Sequence, residues 1–248
     1  MYLCCLRHIN DMRQVKLDLH THTIASGHAY SSLQEMAQRA SQLGLTYLGI
    51  TEHGPAIPGT CDPIYFHNMI AIPREMYGVH LLLGAELNIL DLDGTVDLDP
   101  SYYERMDIRI AGIHASCFKG GSREENTQAV INTIKNPWVN IISHPGDGTA
   151  QLDFEPLVLA AAEHRTLLEI NIWTMNPTRN KVGALENNLE LLRLHKKHGV
   201  PLILGSDAHI SFSIADYSRI YPLLEETAFP DELVMNYWPE RLGEYLSL

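Results

Sequence analysis

The chain has 248 residues, 45% of them hydrophobic, a length at which one full core forms and at which α/β barrels fold as a single domain. Its 30 acidic residues against 18 basic ones leave a formal net charge of -12, which argues against a protein that coats nucleic acid, because that affinity comes from lysine and arginine neutralising phosphates. There is no long apolar run to span a membrane, and "MYLCCLRHINDMRQVK" breaks its apolar opening with Arg7, His8, Asp11 and Arg13, unlike a signal peptide, so we expect a cytoplasmic protein with no membrane partner.

In chain order, residues 1–14 read as an N-terminal extension, and because "MRQVKLDLHTHT" begins with its own methionine, either the first eleven residues extend the chain or Met12 is its true start. The first strand is expected from Val15 to His20, and "LDLHTHT" closes it with His20 and His22. Residues i and i+2 of a strand share a face, so two imidazoles there could grip one object, for which a metal ion is the usual candidate. A pair of surface histidines beside a turn is the competing reading. Ser32 with Glu35 forms a capping box, Leu33, Met36, Ala37, Ala40 and Leu43 give the helix an apolar stripe, and Gly44 closes it.

The second strand, Tyr47 to Thr51, runs into Glu52 and His53 of "GITEHG", and the third, His80 to Glu86, ends in the glutamate of "LLGAELN". The alternation of "NILDLDGTVDL" around Asp93-Gly94 predicts a β-hairpin inserted after that strand. The fourth strand, Ile108 to His114, ends in the histidine of "IAGIHAS", and Ser122 with Glu125 opens the next helix. The fifth, Val139 to Ser143, runs into His144 of "IISHPG". The sixth, Leu167 to Ile172, ends in "EINIW", where Asn171 suits substrate contact better than ligation. A helix then runs to His198 and stops at Gly199 before Pro201, and the seventh strand, Leu202 to Ser206, leads into Asp207 and His209 of "ILGSDAH". His164, His195 and His198, in or at the ends of helices, read as solvated or terminus-capping residues.

Strands alternating with helices predict parallel strands with helical crossovers, and in a parallel barrel the functional groups gather at the carboxyl ends of the strands. Six of the seven expected strand ends carry a potential metal ligand. Thirteen scattered histidines would not track strand ends this closely, so the pattern predicts a multi-metal site. Cys4, Cys5, Cys61 and Cys117 show no Cys-x-x-Cys spacing, which leaves the ligation to nitrogen and oxygen.

Taken together, "DLHTHTIASGHAYS", "GITEHGP", "GAELNI", "IAGIHAS", "IISHPG" and "LGSDAH", in this order, resemble the PHP domain, named after polymerase and histidinol phosphatase, and more closely its stand-alone YcdX-like phosphatases. The resemblance runs from about Val15 nearly to the C-terminus. It implies a single domain over 1–248 with a distorted TIM-like (β/α)7 barrel, the PHP fold, and three zinc ions at its mouth. One ion would be held by His20, His22, Glu86 and Asp207, a second by Glu86, His114 and His144, and a third by His28, His53 and His209. Glu52 departs from the pattern, since close relatives often carry aspartate before this histidine. Imidazole-rich ligation without thiolate suits Zn²⁺, with Mn²⁺ or Fe²⁺ as alternatives on the same ligands.

Such a pocket would be strongly positive and would attract an anion. The expected function is hydrolysis of a small phosphomonoester by a metal-activated hydroxide, with Glu86 bridging and Asp207, first a ligand, as a candidate proton carrier. Arg179 of "MNPTRNKVG", Asn171 and Lys119 are the candidate substrate contacts. A PHP-type phosphodiesterase or exonuclease, and a metal-bound regulatory module, are the alternatives. The resemblance also points to a homo-oligomer.

Overall fold

The computed structural model describes residues 14–179 and 181–247. The extension expected at the N-terminus therefore lies, up to residue 13, outside the described residues. Eight strands form: β1 (Leu17–Asp18), β2 (Tyr47–His53), β3 (Glu75–Met76), β4 (Val79–Asn88), β5 (Ile108–Gly112), β6 (Ile141–Ile142), β7 (Leu167–Asn171) and β8 (Ile203–Gly205). Six α-helices accompany them: α1 (Leu33–Leu43), α2 (Ile64–His67), α3 (Arg123–Ile134), α4 (Phe154–His164), α5 (Ala184–His198) and α6 (Tyr221–Glu226). Among the described residues no helix is long and apolar enough to cross a membrane.

Seven strands lie parallel in the order β1-β2-β4-β5-β6-β7-β8. A single parallel bridge between Thr21 and Ala208, with the His22 N–H donating to the Ala208 carbonyl at 2.9 Å, brings the last strand back to the first. The sheet is thus a nearly closed, distorted TIM-like α/β barrel of seven parallel strands with helices, as expected, in which a 3-10 helix over Pro100–Arg105 takes the place of an α-helix after β4. Helix ends follow the local signals. Ser32 and Ser122 each cap the backbone of the glutamate three residues on and receive that glutamate's carboxylate on their own N–H, and Gly44 and Gly199 end α1 and α5 in the left-handed conformation.

Strand alternation sorts the side chains into two cores. Leu81, Leu83, Ala85 and Leu87 of β4 face the helices, in one large cluster with Leu48, Ile50 and Met36. Leu82, Ile108, Ile110, Ile141, Leu167 and Ile203 face the barrel interior, where Met235, Leu242 and Leu246 of the C-terminal segment pack against them. The same alternation carried upward points Glu86, Glu169 and Asn171 into the interior at its other end.

Three local expectations change. The segment around Asp93-Gly94 closes only one antiparallel bridge, Ile89 to Val96, because the Asp97 carboxylate takes both the Asn88 N–H and its side-chain amide, occupying the place a return strand would use. The true hairpin precedes the third parallel strand. There β3 pairs with β4 through Tyr77 and Gly78, both at positive φ, as a two-residue hairpin turn requires. His195 is not solvated: it is wholly buried, its Nδ1 lies 2.9 Å from the Val200 carbonyl, and burial pushes the ring down to about 4.

Candidate metal centre at the barrel mouth

The mouth is assembled from strand ends. His20 and His22 follow β1, His53 ends β2, Glu86 lies in β4, His114 and His144 follow β5 and β6, and Asp207 and His209 follow β8. His28 arrives on a loop placed by Gly27, whose φ of 80° and close approach to the Gly59 carbonyl leave no room for a side chain. All but His28, His114 and His209 are buried.

The nine predicted ligands converge. His20 Nε2 and His22 Nε2 are 3.1 Å apart, as are His28 Nε2 and His209 Nε2. Glu86 sits at the centre: its Oε1 is 2.9 Å from His144 Nε2 and 3.4 Å from both His114 Nε2 and His20 Nε2, while its Oε2 is 2.8 Å from His53 Nδ1 and 3.5 Å from His22 Nε2. Asp207 Oδ1 lies 3.2 Å from His22 Nε2 and 3.4 Å from His209 Nδ1. Ligand atoms fall into three overlapping groups, His20 with His22 and Asp207, His53 with Glu86 and His114, and His22 with His53 and His209, each within 4.8 Å.

Whether these residues suit cations is tested by what they do to one another. Buried Glu86 Oε2, His53 Nδ1 and Asp207 Oδ1 make no hydrogen bond, although the first two are only 2.8 Å apart. Leaving such atoms unpaired costs about 1–3 kcal/mol each, and divalent cations would satisfy all of them at once. His144 and Asp207 also hold left-handed backbone, φ 33° and 51°, at a cost of about 1–3 kcal/mol per residue that tends to be retained at functional sites. The donor set, imidazole and carboxylate without thiolate, fits zinc.

Burial alone would raise the Glu86 carboxyl, but the charges of His20, His114 and His53 outweigh it and hold it well below the usual range. Asp207 is depressed likewise, burial being overcome by His20 and His22. His144 moves the other way: burial would lower it, yet its bond to Glu86 and the charges of Glu86 and Asp147 push it up to about 9. His22 falls well below its ordinary value through burial and the charge of His53.

Sequence reasoning missed two groups. Glu169 in β7, 1% exposed, sets its Oε1 2.7 Å from His20 Nδ1 and accepts the His144 N–H on Oε2 at 2.8 Å, so it fixes which nitrogen of His20 faces the cluster. Gly205 beside it has no room for a side chain because the Glu169 carboxylate fills that space. Lys181 Nζ, at 2.6 Å from Asp147 Oδ2 and 2.7 Å from Thr149 Oγ1, stands on the wall of the cavity of about 300 Å3 above the cluster, where the Trp173 ring stacks on His209. It lies in the "MNPTRNKVG" segment that had pointed to Arg179.

Of the predicted substrate contacts, Asn171 is wholly buried and committed to Glu169 and the Thr174 N–H. Lys119 is exposed and does not line the cavity. The Arg179 side chain lies outside the described part of the structure. Glu52 stands behind the cluster, accepting the Thr23 and Ser26 hydroxyls, and Ser26 Oγ is 3.1 Å from His22 Nδ1.

Comparison with known proteins agrees with this architecture. A family model described as the PHP domain matches residues 18–171. A probable phosphatase of Clostridium novyi is 43% identical over 231 residues, 93% of this chain and 94% of that protein. One from Acetivibrio thermocellus is 46% identical over the same length, 93% of this chain and 95% of the relative. Among solved structures, histidinol phosphate phosphatase from Lactococcus lactis, complexed with zinc, L-histidinol and phosphate, aligns with a TM-score of 0.58 at 19% identity, over 87% of this chain and 95% of its own, a likeness of fold. The chain belongs to the PHP domain family, among the members named probable phosphatases.

Proposed function

We propose that the protein is a metal-dependent phosphatase that hydrolyses a small phosphomonoester, with three divalent ions, zinc first, held by His20, His22, His28, His53, Glu86, His114, His144, Asp207 and His209. The observation that carries the reading is the convergence of imidazole nitrogens and two carboxylates with unpaired buried lone pairs. Bound divalent ions supply an acidified water and positive charge for the phosphate oxygens.

The chain's own part is positioning. Glu86 reaches both halves of the cluster, so it would set their spacing. Glu169 orients His20 through Nδ1 and ties the His144 backbone to the same carboxylate. Asp207, beside His20 and His22, would serve first as a ligand, with proton carriage as its second candidate role. Lys181 supplies a cation on the pocket wall. In the overall reaction water adds to phosphorus, the bond to the leaving oxygen breaks and that oxygen takes up a proton.

The test is metal content by mass spectrometry together with turnover of para-nitrophenyl phosphate and its bis ester, with Zn²⁺ or Mn²⁺ supplied. Metal-dependent hydrolysis of the monoester is expected. Preferential hydrolysis of the diester would favour a phosphodiesterase, and metal binding with neither activity would favour a regulatory module.

A further inference from the structure

The pocket above the histidines does not end there. Lys181 and Thr174 line both that pocket and a neighbouring cleft of about 270 Å3, whose wall also carries Met175, Pro177, Leu185 and Arg219. Lys181 is the only lysine or arginine among the described residues to line the metal pocket. Its ammonium has three donors, of which Asp147 and Thr149 take two, and its side chain is 31% exposed. Asp147 is itself buried and Thr149 Oγ1 donates to it at 2.6 Å, so the lysine is held in place rather than left to wander. Arg219 is exposed and has no ion-pair partner among the described residues.

In a chain of net charge -12, two cations border one cleft, and among the described residues no other lysine or arginine lines the metal pocket. A phosphate seated on the histidine cluster has this cleft open beside it, and each cavity is large enough for a few heavy atoms of a metabolite.

Resting on the phosphomonoesterase reading, we propose that the substrate's leaving group carries a second anionic group, a carboxylate or another phosphate, which lies past Lys181 into this cleft and is met by Lys181 and Arg219. Apolar Met175, Pro177 and Leu185 cover the carbon skeleton between the two anions. A cationic leaving group such as histidinol is disfavoured at the same place.

The experiment uses the full chain loaded with Zn²⁺ or Mn²⁺ and compares kcat/KM within matched pairs: 3-phosphoglycerate against glycerol 3-phosphate for a carboxylate, and glucose 1,6-bisphosphate against glucose 6-phosphate for a phosphate. Histidinol phosphate and para-nitrophenyl phosphate complete the set. The bis-anionic member of at least one pair is expected to win by about tenfold or more, the scale of one charged hydrogen bond, and the winning pair names the second anion. Histidinol phosphate is expected to fall below the winning bis-anionic ester. Lys181→Met and Arg219→Met should each pull the winning ratio toward one, whereas Lys181→Arg and Arg219→Lys keep most of it. Turnover of para-nitrophenyl phosphate with both pairs matched within about twofold, or a preference that survives both methionine variants, overturns the second-anion subsite while leaving the phosphatase reading standing. A metal-loaded protein that hydrolyses none of these esters overturns both.

Discussion

The two ends of the barrel interior are built by the same strands and obey opposite rules. Toward the amino ends of the strands, Ile108, Ile141, Leu167 and Ile203 meet Met235 and Leu246 in a closed apolar core. A few residues further along, the same inward positions hold Glu86, Glu169 and Asp207 among seven imidazoles, with Glu86 Oε2, His53 Nδ1 and Asp207 Oδ1 making no hydrogen bond. One end lowers free energy by excluding water, while the other carries unpaired polar atoms that bound cations would satisfy and left-handed backbone held by its surroundings. Stability and reactivity have been separated along the barrel axis, so each can be damaged without the other.

The largest separation is expected from Glu86→Ala. Loss of the central carboxylate should lower turnover on the order of a thousandfold, which is several kcal/mol at 1.4 kcal/mol per decade, and reduce bound metal, with circular dichroism still that of a folded barrel. Near-normal turnover would remove the bridging role. Ile108→Ala is the reciprocal variant: it should cost about 2–5 kcal/mol in denaturant titrations yet leave metal content per folded molecule unchanged.

Removing the metal should sharpen the contrast further, and in a pH-dependent way. With free metal at about a hundred times its Kd, binding adds about 2.7 kcal/mol to stability, read as a drop in Tm on chelation. His144 rises in the metal-free fold from the usual 6.5 to about 9, so its contribution is fully present below pH 6.5 and is lost as pH rises through about 9. Metal must displace that proton. The Tm gap between metal-loaded and stripped protein should therefore widen from pH 6.5 to 9, and a constant gap would contradict the assignment. The smallest effect is expected for Glu169→Gln, a loss of about ten- to a hundredfold in zinc affinity through misorientation of His20, checked by competition with a chromophoric chelator.

How much of this was legible beforehand follows the same division. All the candidate ligands but His28 were readable because they sit at or just past strand ends, and strand ends are marked by composition: "LDLHTHT", "GITEHG" and "LGSDAH" announce themselves. Glu169 was not, since a lone acid inside "LLEIN" reads as an ordinary strand residue until its inward register beside Leu167 and Asn171 is known. Lys181, two positions beyond Arg179, was passed over because a loop's path, which its composition does not give, decides which side chains line the pocket. The hairpin before β4 was missed because Tyr77-Gly78 lacks the usual Asn-Gly or Asp-Gly, and the one expected at Asp93-Gly94 shrank because the Asp97 side chain competes for the ladder.

The seam between the first and last strands has one consequence for the whole molecule. Among the described residues a single β-bridge, Thr21–Ala208, joins those edges, supported by the Tyr30 N–H on the His209 carbonyl and the Ser206 N–H on Asp18, and His20, His22 and His28 lie on one side of it with Asp207 and His209 on the other. His28 and His209, 181 residues apart in sequence, meet at 3.1 Å. Ions shared across that line would act as rivets between the two ends of the chain, stiffening this seam in the folded state. Amide protons along this edge, rather than those of the central strands, would then be the ones whose exchange with solvent records whether the rivets are in place.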